Sequence, residues 1–179
     1  MRVDALPRVS DASLRLRHLE RDDVEEWNRY LSAPGSLAHS GRTPTCSVNL
    51  MQLVASCNST APDSPIRFAI VEAANGRLVG SIGFHTISMQ DKTAEIAFDV
   101  NPVRWGRGIA TTCCRALTDY GFTELGFVRI QATALDTNMA SVRVLEKCRY
   151  HREGTLRAYR IVMNRPRDFF LYARLTSDG

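Results

Sequence analysis

Alternating apolar and polar positions mark most of the sheet-forming parts of this chain, and three- and four-residue spacing marks the helices. Ser13–Leu19 alternates Leu14 and Leu16 with Arg15 and Arg17 and predicts a first strand. Acidic Glu20–Asp23 then opens a helix whose apolar face is Val24, Trp27, Tyr30 and Leu31. Trp27 and Tyr30 read as core residues before they read as pocket residues. Ala33–Thr45 is rich in Pro, Gly, Ser and Thr and predicts a loop. Ser47–Cys57 returns to helical spacing, with Thr45 or Ser47 as a cap, and Asn58–Pro65 is another loop. Ile66–Val71 and Leu78–Ile87 are strands joined by Ala74-Asn75-Gly76, a hairpin signal. Asp91-Lys92 turns the chain into a further strand, Thr93–Val100. A helix over Gly106–Leu125, a strand over Val128–Leu135 and a helix over Asn138–Cys148 follow. Two last strands, Tyr150–Tyr159 and Asp168–Leu175, have Asn164-Arg165-Pro166 in the turn between them. A meander followed by strand–helix–strand predicts an α/β (α+β) fold: a mixed, mostly antiparallel sheet of about seven strands with helices on both faces.

Composition narrows the class. At 179 residues, with 44% hydrophobic and 23% charged residues, the chain reads as one globular domain over 1–179. The net charge of +4 is mild, and the basic residues concentrate in the Arg104 loop and from Arg143 onward. That suits a small anionic ligand better than a nucleic acid, for which an aromatic-studded basic strand is expected. Five cysteines without a C-x-x-C, of which Cys113, Cys114 and Cys148 fall in expected helices, read as free thiols of a reducing cytosol. The Met1 end leads into no long apolar segment, so a cytoplasmic protein without a membrane span is expected. The scattered His18, His39, His85 and His151 give no metal site.

The chemistry gathers in Phe98–Ala110, FDVNPVRWGRGIA. Pro102 cannot donate to a ladder and ends the strand. Beyond it a glycine-bearing basic loop meets a helix N-terminus, whose first N–H groups have no internal partner and point partial positive charge outward. Gly106 and Gly108 let an anion approach the backbone, and Arg104 and Arg107 add charge. The P-loop pattern is absent, and Thr111 stands where a dinucleotide fingerprint needs glycine.

Trp105-Gly106-Arg107-Gly108-Ile109-Ala110 resembles the pyrophosphate-binding Q/R-x-x-G-x-G/A motif of the GNAT superfamily of acyl-CoA N-acyltransferases. Pro102, Trp105, Gly106, Gly108, Ala110 and Thr111 match its Rim-type branch, whose named members acetylate the N-termini of ribosomal proteins. Two further blocks resemble that branch: Asn138 to Lys147 matches its N-x-x-S-x-x-V-L-E-K helix, and Arg152–Arg157 the R-x-E-G-x-L run after it. The resemblance is good from about Arg77 onward and vague before Ile66.

The resemblance implies acetyl-CoA as co-substrate and no metal. It assigns Phe98, Asp99 and Val100 to the pantetheine arm, with an N–H near Val100 on the thioester carbonyl, and Trp105, Gly106, Arg107, Gly108, Ile109, Ala110 and Thr111 to the pyrophosphate. Asn138 would cap its helix and bind the arm, and Ser141 would donate to the leaving sulfur where other members use a tyrosine at the position of Leu145. Arg143 and Lys147, one helical turn apart, could meet a ribose phosphate, or form a solvated face. Glu95, an acid in phase with Ala97 and Asp99 on an otherwise buried strand, is the first candidate base, directly or through a water. His85 is the second. A salt bridge to an arginine is the structural alternative for Glu95. Arg149 occupies a position where the family has a helix-ending glycine, at a cost of about 1 kcal/mol if the conformation is kept.

The acceptor would be an amine, on a protein N-terminus or on a small molecule such as an amino acid, polyamine or aminoglycoside. In this fold the first helix–loop–helix forms one wall of its site. A non-catalytic acyl-CoA sensor is the alternative outside enzymes. Pairing of two chains through the sheet edge or the last strands is compatible with the fold.

Overall fold

A computed structural model of the chain describes residues 3–33, 36, 47–59 and 61–178. Most of the expected loop after Ala33, with His39, Thr45 and Cys46, and the side chain of Ser47 lie outside the described residues. Seven strands form one sheet in the order β1-β2-β3-β4-β5-β7-β6. They are β1 (Leu14–His18), β2 (Ile66–Glu72), β3 (Leu78–Ser88), β4 (Thr93–Val100), β5 (Arg129–Leu135), β6 (His151–Val162) and β7 (Arg165–Leu175). All neighbours are antiparallel except β4 and β5. Among the described residues the α-helices are α1 (Asp23–Leu31), α2 (Ser47–Cys57), α3 (Ile109–Thr123) and α4 (Met139–Lys147). None of them is long and apolar enough to cross a membrane.

Strand alternation sorts the core into two layers. Ile66, Phe68 and Ile70 of β2 pack with Cys113, Leu117 and Tyr120 of α3 and Val142 and Leu145 of α4. Ala69 and Val71 of the same strand face the other way, onto Trp27 and Tyr30 of α1 and Leu50 and Val54 of α2. Trp27 and Tyr30 are therefore core residues, as their spacing predicts. The sheet has helices on both faces.

Two boundaries differ from expectation. The third helix starts at Ile109 and not at Gly106, because Gly106 and Gly108 have φ of 77° and 76° and cannot belong to a right-handed helix. The last hairpin is longer than expected, since its turn is only Met163-Asn164, with φ of 50° and 60°. Pro166 lies inside β7 opposite Ile161. It is tolerated because β5 pairs with β7 only from Phe169 onward, so no ladder bond is lost on that edge.

Helix α4 ends as a non-glycine version of a left-handed cap. Arg149 has φ of 61°, its N–H donates to the Glu146 carbonyl at 3.0 Å, and Tyr150 N–H donates to the Leu145 carbonyl at 3.0 Å. The conformation is kept and its steric cost is borne by Arg149. Arg149→Gly is expected to stabilise the protein by about 0.5–1 kcal/mol, a rise of about 2 °C or somewhat more in the thermal midpoint. An unchanged or lowered midpoint would show that the arginine side chain offsets the strain.

Candidate active site

The sheet opens in its middle. The parallel ladder of β4 and β5 runs only from Thr93↔Arg129 to Glu95↔Gln131, whereas β3 stays paired with β4 to Gly80↔Val100. Beyond Glu95 the two strands diverge and a cleft begins. Asn101 N–H donates to the Val79 carbonyl at 2.8 Å, so alternation turns the main-chain groups of Phe98 and Val100 away from β3 and toward the cleft. Asp99, in the opposite phase, is paired through its main chain with Ser81 of β3.

The loop after β4 is fixed piece by piece. Asn101 caps a short 3-10 turn over Pro102–Arg104 by accepting from Val103 N–H at 3.2 Å. Trp105, about half exposed, donates its indole Nε1–H to the Val100 carbonyl at 2.7 Å. A Cβ on Gly106 or Gly108 would meet nothing within 4 Å. Backbone conformation, not crowding, is what requires glycine there, and the space above both is open. Gly108 leads directly into α3, so the first N–H groups of that helix open at the same end. On the facing side, Asn138 Oδ1 accepts from Ser141 N–H at 3.1 Å and caps α4, as expected.

The result is a cavity of about 410 Å³ bounded by Phe98–Val100, Arg104–Thr111 and the first turns of α4. Phe98, Asp99, Val100, Trp105, Gly106, Arg107, Gly108, Ile109, Ala110, Thr111, Asn138, Ser141, Arg143 and Lys147 all line it. Arg107, Arg143 and Lys147 are exposed at its walls. Arg104 lines it too, but its guanidinium is held by Glu72 of β2 at 2.5 Å, so the charge expected of it is already balanced.

Glu95 and His85 stand outside this cavity, on the face of the sheet where α1 and α2 lie. Glu95 is 7% exposed, and its Oε1 accepts from Thr133 Oγ1 at 2.8 Å. Gln131 Nε2 reaches Oε2 at 3.4 Å, and His85 Nε2 lies 3.5 Å from Oε1. The bulge between Phe84 and Thr86 brings His85 to that position. Arg160 is 4.0 Å from Oε1, the outer limit of an ion pair. Neutral donors rather than a tight arginine bridge hold the carboxylate.

One side chain had a role that the sequence did not reveal. The Asp99 carboxylate accepts from Trp27 Nε1 at 3.1 Å and Tyr30 Oη at 2.5 Å through Oδ1, and from Arg67 at 2.5 Å and Ser81 Oγ at 2.8 Å through Oδ2. Arg67 is 4% exposed. This network ties β4 to β3, β2 and α1 beside the cleft. An arginine inside the run Ile66–Val71, buried on both faces, was the sequence signal for such a partner. Gln131 and Thr133, polar and in phase on β5, were the signal for the groups around Glu95.

No cysteine lines the cavity among the described residues. Cys113 and Cys114 are fully buried on α3. Burial pushes the Cys113 thiol up to about 12, and a hydrogen bond with Cys148 together with burial raises that of Cys114 well above the usual range. Neither can serve as a thiolate nucleophile near neutral pH.

The sheet is split between two parallel strands, and a glycine turn, a helix N-terminus and exposed cations border the split, an arrangement suited to an anionic ligand. Residues 13–151 match the Acetyltransferase (GNAT) domain, and the chain belongs to that family. It is an acyltransferase, and the enzymes of this family take their acetyl group from acetyl-CoA. The uncharacterized N-acetyltransferase p20 of Bacillus licheniformis is 29% identical over 90% of this chain and 92% of its own length. The putative ribosomal N-acetyltransferase YdaF of Bacillus subtilis is 32% identical, over 56% of this chain and 55% of its own. The crystal structure of spermidine N-acetyltransferase from Vibrio cholerae in complex with CoA and spermine superposes with a TM-score of 0.82 at 24% identity, over 93% of this chain and 98% of that one, a likeness of fold.

Removal of the Asp99 carboxylate leaves Arg67 charged and buried. Asp99→Ala is expected to cost about 3–5 kcal/mol in urea unfolding, and the Arg67→Met/Asp99→Ala pair less than the sum of the single changes. A loss under about 1 kcal/mol would mean that the network does not hold β4 in place.

Proposed function

We propose that this chain, as one cytoplasmic domain over residues 1–179, transfers an acetyl group from acetyl-CoA to a primary amine by direct attack. The observation that carries the reading is the opening of the sheet at Glu95: a donor cleft on one side of the last β4–β5 pair and a satisfied carboxylate on the other. Acetyl-CoA supplies the thioester. Its fit rests on the glycine turn with open space above it, the main-chain groups of Phe98 and Val100, and the exposed cations Arg107, Arg143 and Lys147.

In this reading Phe98 and Val100 bind the pantetheine arm, and Val100 N–H polarises the carbonyl where negative charge develops. Asp99 acts on the arm only through β4, because its own groups are committed to β3 and to the Arg67 network. Main-chain N–H groups of Trp105–Thr111 receive the pyrophosphate. Glu95 accepts the amine proton, Thr133 and Gln131 fix its carboxylate, and His85 orients the same oxygen. Ser141 donates to the leaving sulfur, and Asn138 holds the helix turn that carries it. The buried thiols of Cys113 and Cys114 speak for direct attack without an acyl-enzyme.

The first acceptor reading is a protein N-terminus, as the Rim-type motif implies, and the Bacillus subtilis relative is named a putative ribosomal N-acetyltransferase. A small amine is the second, since a spermidine enzyme shares the fold. Two chains could pair through an edge strand, β1 or β6, in either case.

Glu95→Gln keeps the shape and one oxygen to accept from Thr133, but its amide nitrogen neither accepts from Gln131 nor takes a proton. Followed by thiol release, kcat is expected to fall about 10²–10⁴-fold with the KM for acetyl-CoA unchanged. Wild-type turnover in the variant would remove Glu95 from the chemistry.

A further inference from the structure

The same face of the sheet carries a guanidinium that the reaction above does not use. Arg160 of β6 lies 42% exposed, with its centre 4.9 Å from the Tyr159 ring and 5.3 Å from the Phe169 ring. The register shift between Leu156 and Arg160 brings Tyr159 and Arg160 to this place together. Aromatic faces hold such a group in position without neutralising it. Its polar neighbours are distant: Thr133 Oγ1 at 3.5 Å and Glu95 Oε1 at 4.0 Å. Nearby arginines differ. Arg129 is closed by both oxygens of Glu153 at 2.8 and 2.6 Å, and Arg167 by Asp136 at 3.0 Å.

Two largely buried acids on this side of the sheet are paired with arginines, Asp23 with Arg17 and Asp99 with Arg67. The connection between the first two helices, residues 33–46, contains no Asp or Glu in its sequence. An amine that approaches Glu95 meets Arg160 beside it.

Resting on the acetyl-transfer reading, we infer that the acceptor is an amine with a carboxylate a few bonds from its nitrogen, and that Arg160 is the residue that selects it. With the amine at Glu95, Arg160 is near enough for the same molecule to span both groups, and its planar fork suits a carboxylate. The carboxylate could be that of a free amino acid or an acidic side chain near a peptide N-terminus.

The test uses the full chain with CoA bound, as wild type, Arg160→Gln and Arg160→Lys. Its probes are alanine against alaninamide, the amidated dipeptide Ser-Asp against Ser-Asn, and spermidine. Calorimetric binding is measured first, then turnover with acetyl-CoA. Wild type is expected to favour the carboxylate member of one pair by about 10–100-fold, and that pair identifies the source. The ratio should collapse toward one in Arg160→Gln and survive in part in Arg160→Lys. Indifference of wild type to both pairs, a preference that persists in Arg160→Gln, or spermidine as the tightest ligand would overturn the inference. Arg160-dependent binding without thiol release would support the anchor and count against acetyl transfer itself.

Discussion

The active-site region depends on a strand edge exposed in the middle of the sheet. Past Glu95, β4 borders β3 on one side and the cleft on the other. Such an edge would ordinarily pair or collapse, because buried main-chain groups need partners. Here it is held from behind. The Asp99 carboxylate gathers donors from α1, β2 and β3, and so fixes β4 where its second neighbour departs. A buried pair of this kind is costly to assemble, and its value lies in geometry more than in net stability. In front, Pro102 and the two left-handed glycines prevent the chain from continuing as strand or starting early as helix. The cleft is what remains between these constraints.

The two ends of the split carry different chemistry. Toward α3 and α4 it offers backbone N–H groups, a capped helix start and exposed cations, which suit an anionic, extended donor. Toward the opposite face it presents Glu95, held by Thr133 and Gln131, with His85 and Arg160 at its border. Donor and acceptor would thus approach from opposite sides of one strand. In the reading proposed above, Arg160 of β6 would select the acceptor, far along the chain from the glycine turn.

How much of this was legible in the sequence followed the range of the interaction. The Asn138 cap and the glycine-bearing loop are decided by residues a few positions apart and could be read directly, although the helix expected from Gly106 starts at Ile109. The left-handed Arg149 was implied by the family resemblance. The Asp99 network joins residues 18, 32, 69 and 72 positions away, which no local pattern encodes. The extent of the last hairpin was missed because Pro166 reads as a turn residue. Only the sheet order shows that it stands where β7 has no β5 neighbour. Arg160 was hidden for a related reason, since its proximity to Glu95 depends on a register shift.

The most direct test of the account is calorimetric titration of CoA into wild type, Gly108→Glu and Gly76→Glu. Both glycines are left-handed, with φ of 76° and 71°, so both changes carry similar backbone strain, but only Gly108 lies at the cleft. The account predicts that wild type and Gly76→Glu bind CoA alike, and that Gly108→Glu loses about tenfold or more through strain and a carboxylate set against phosphate. Equal affinity in all three proteins would contradict it, and CoA would then have to bind away from the split in the sheet.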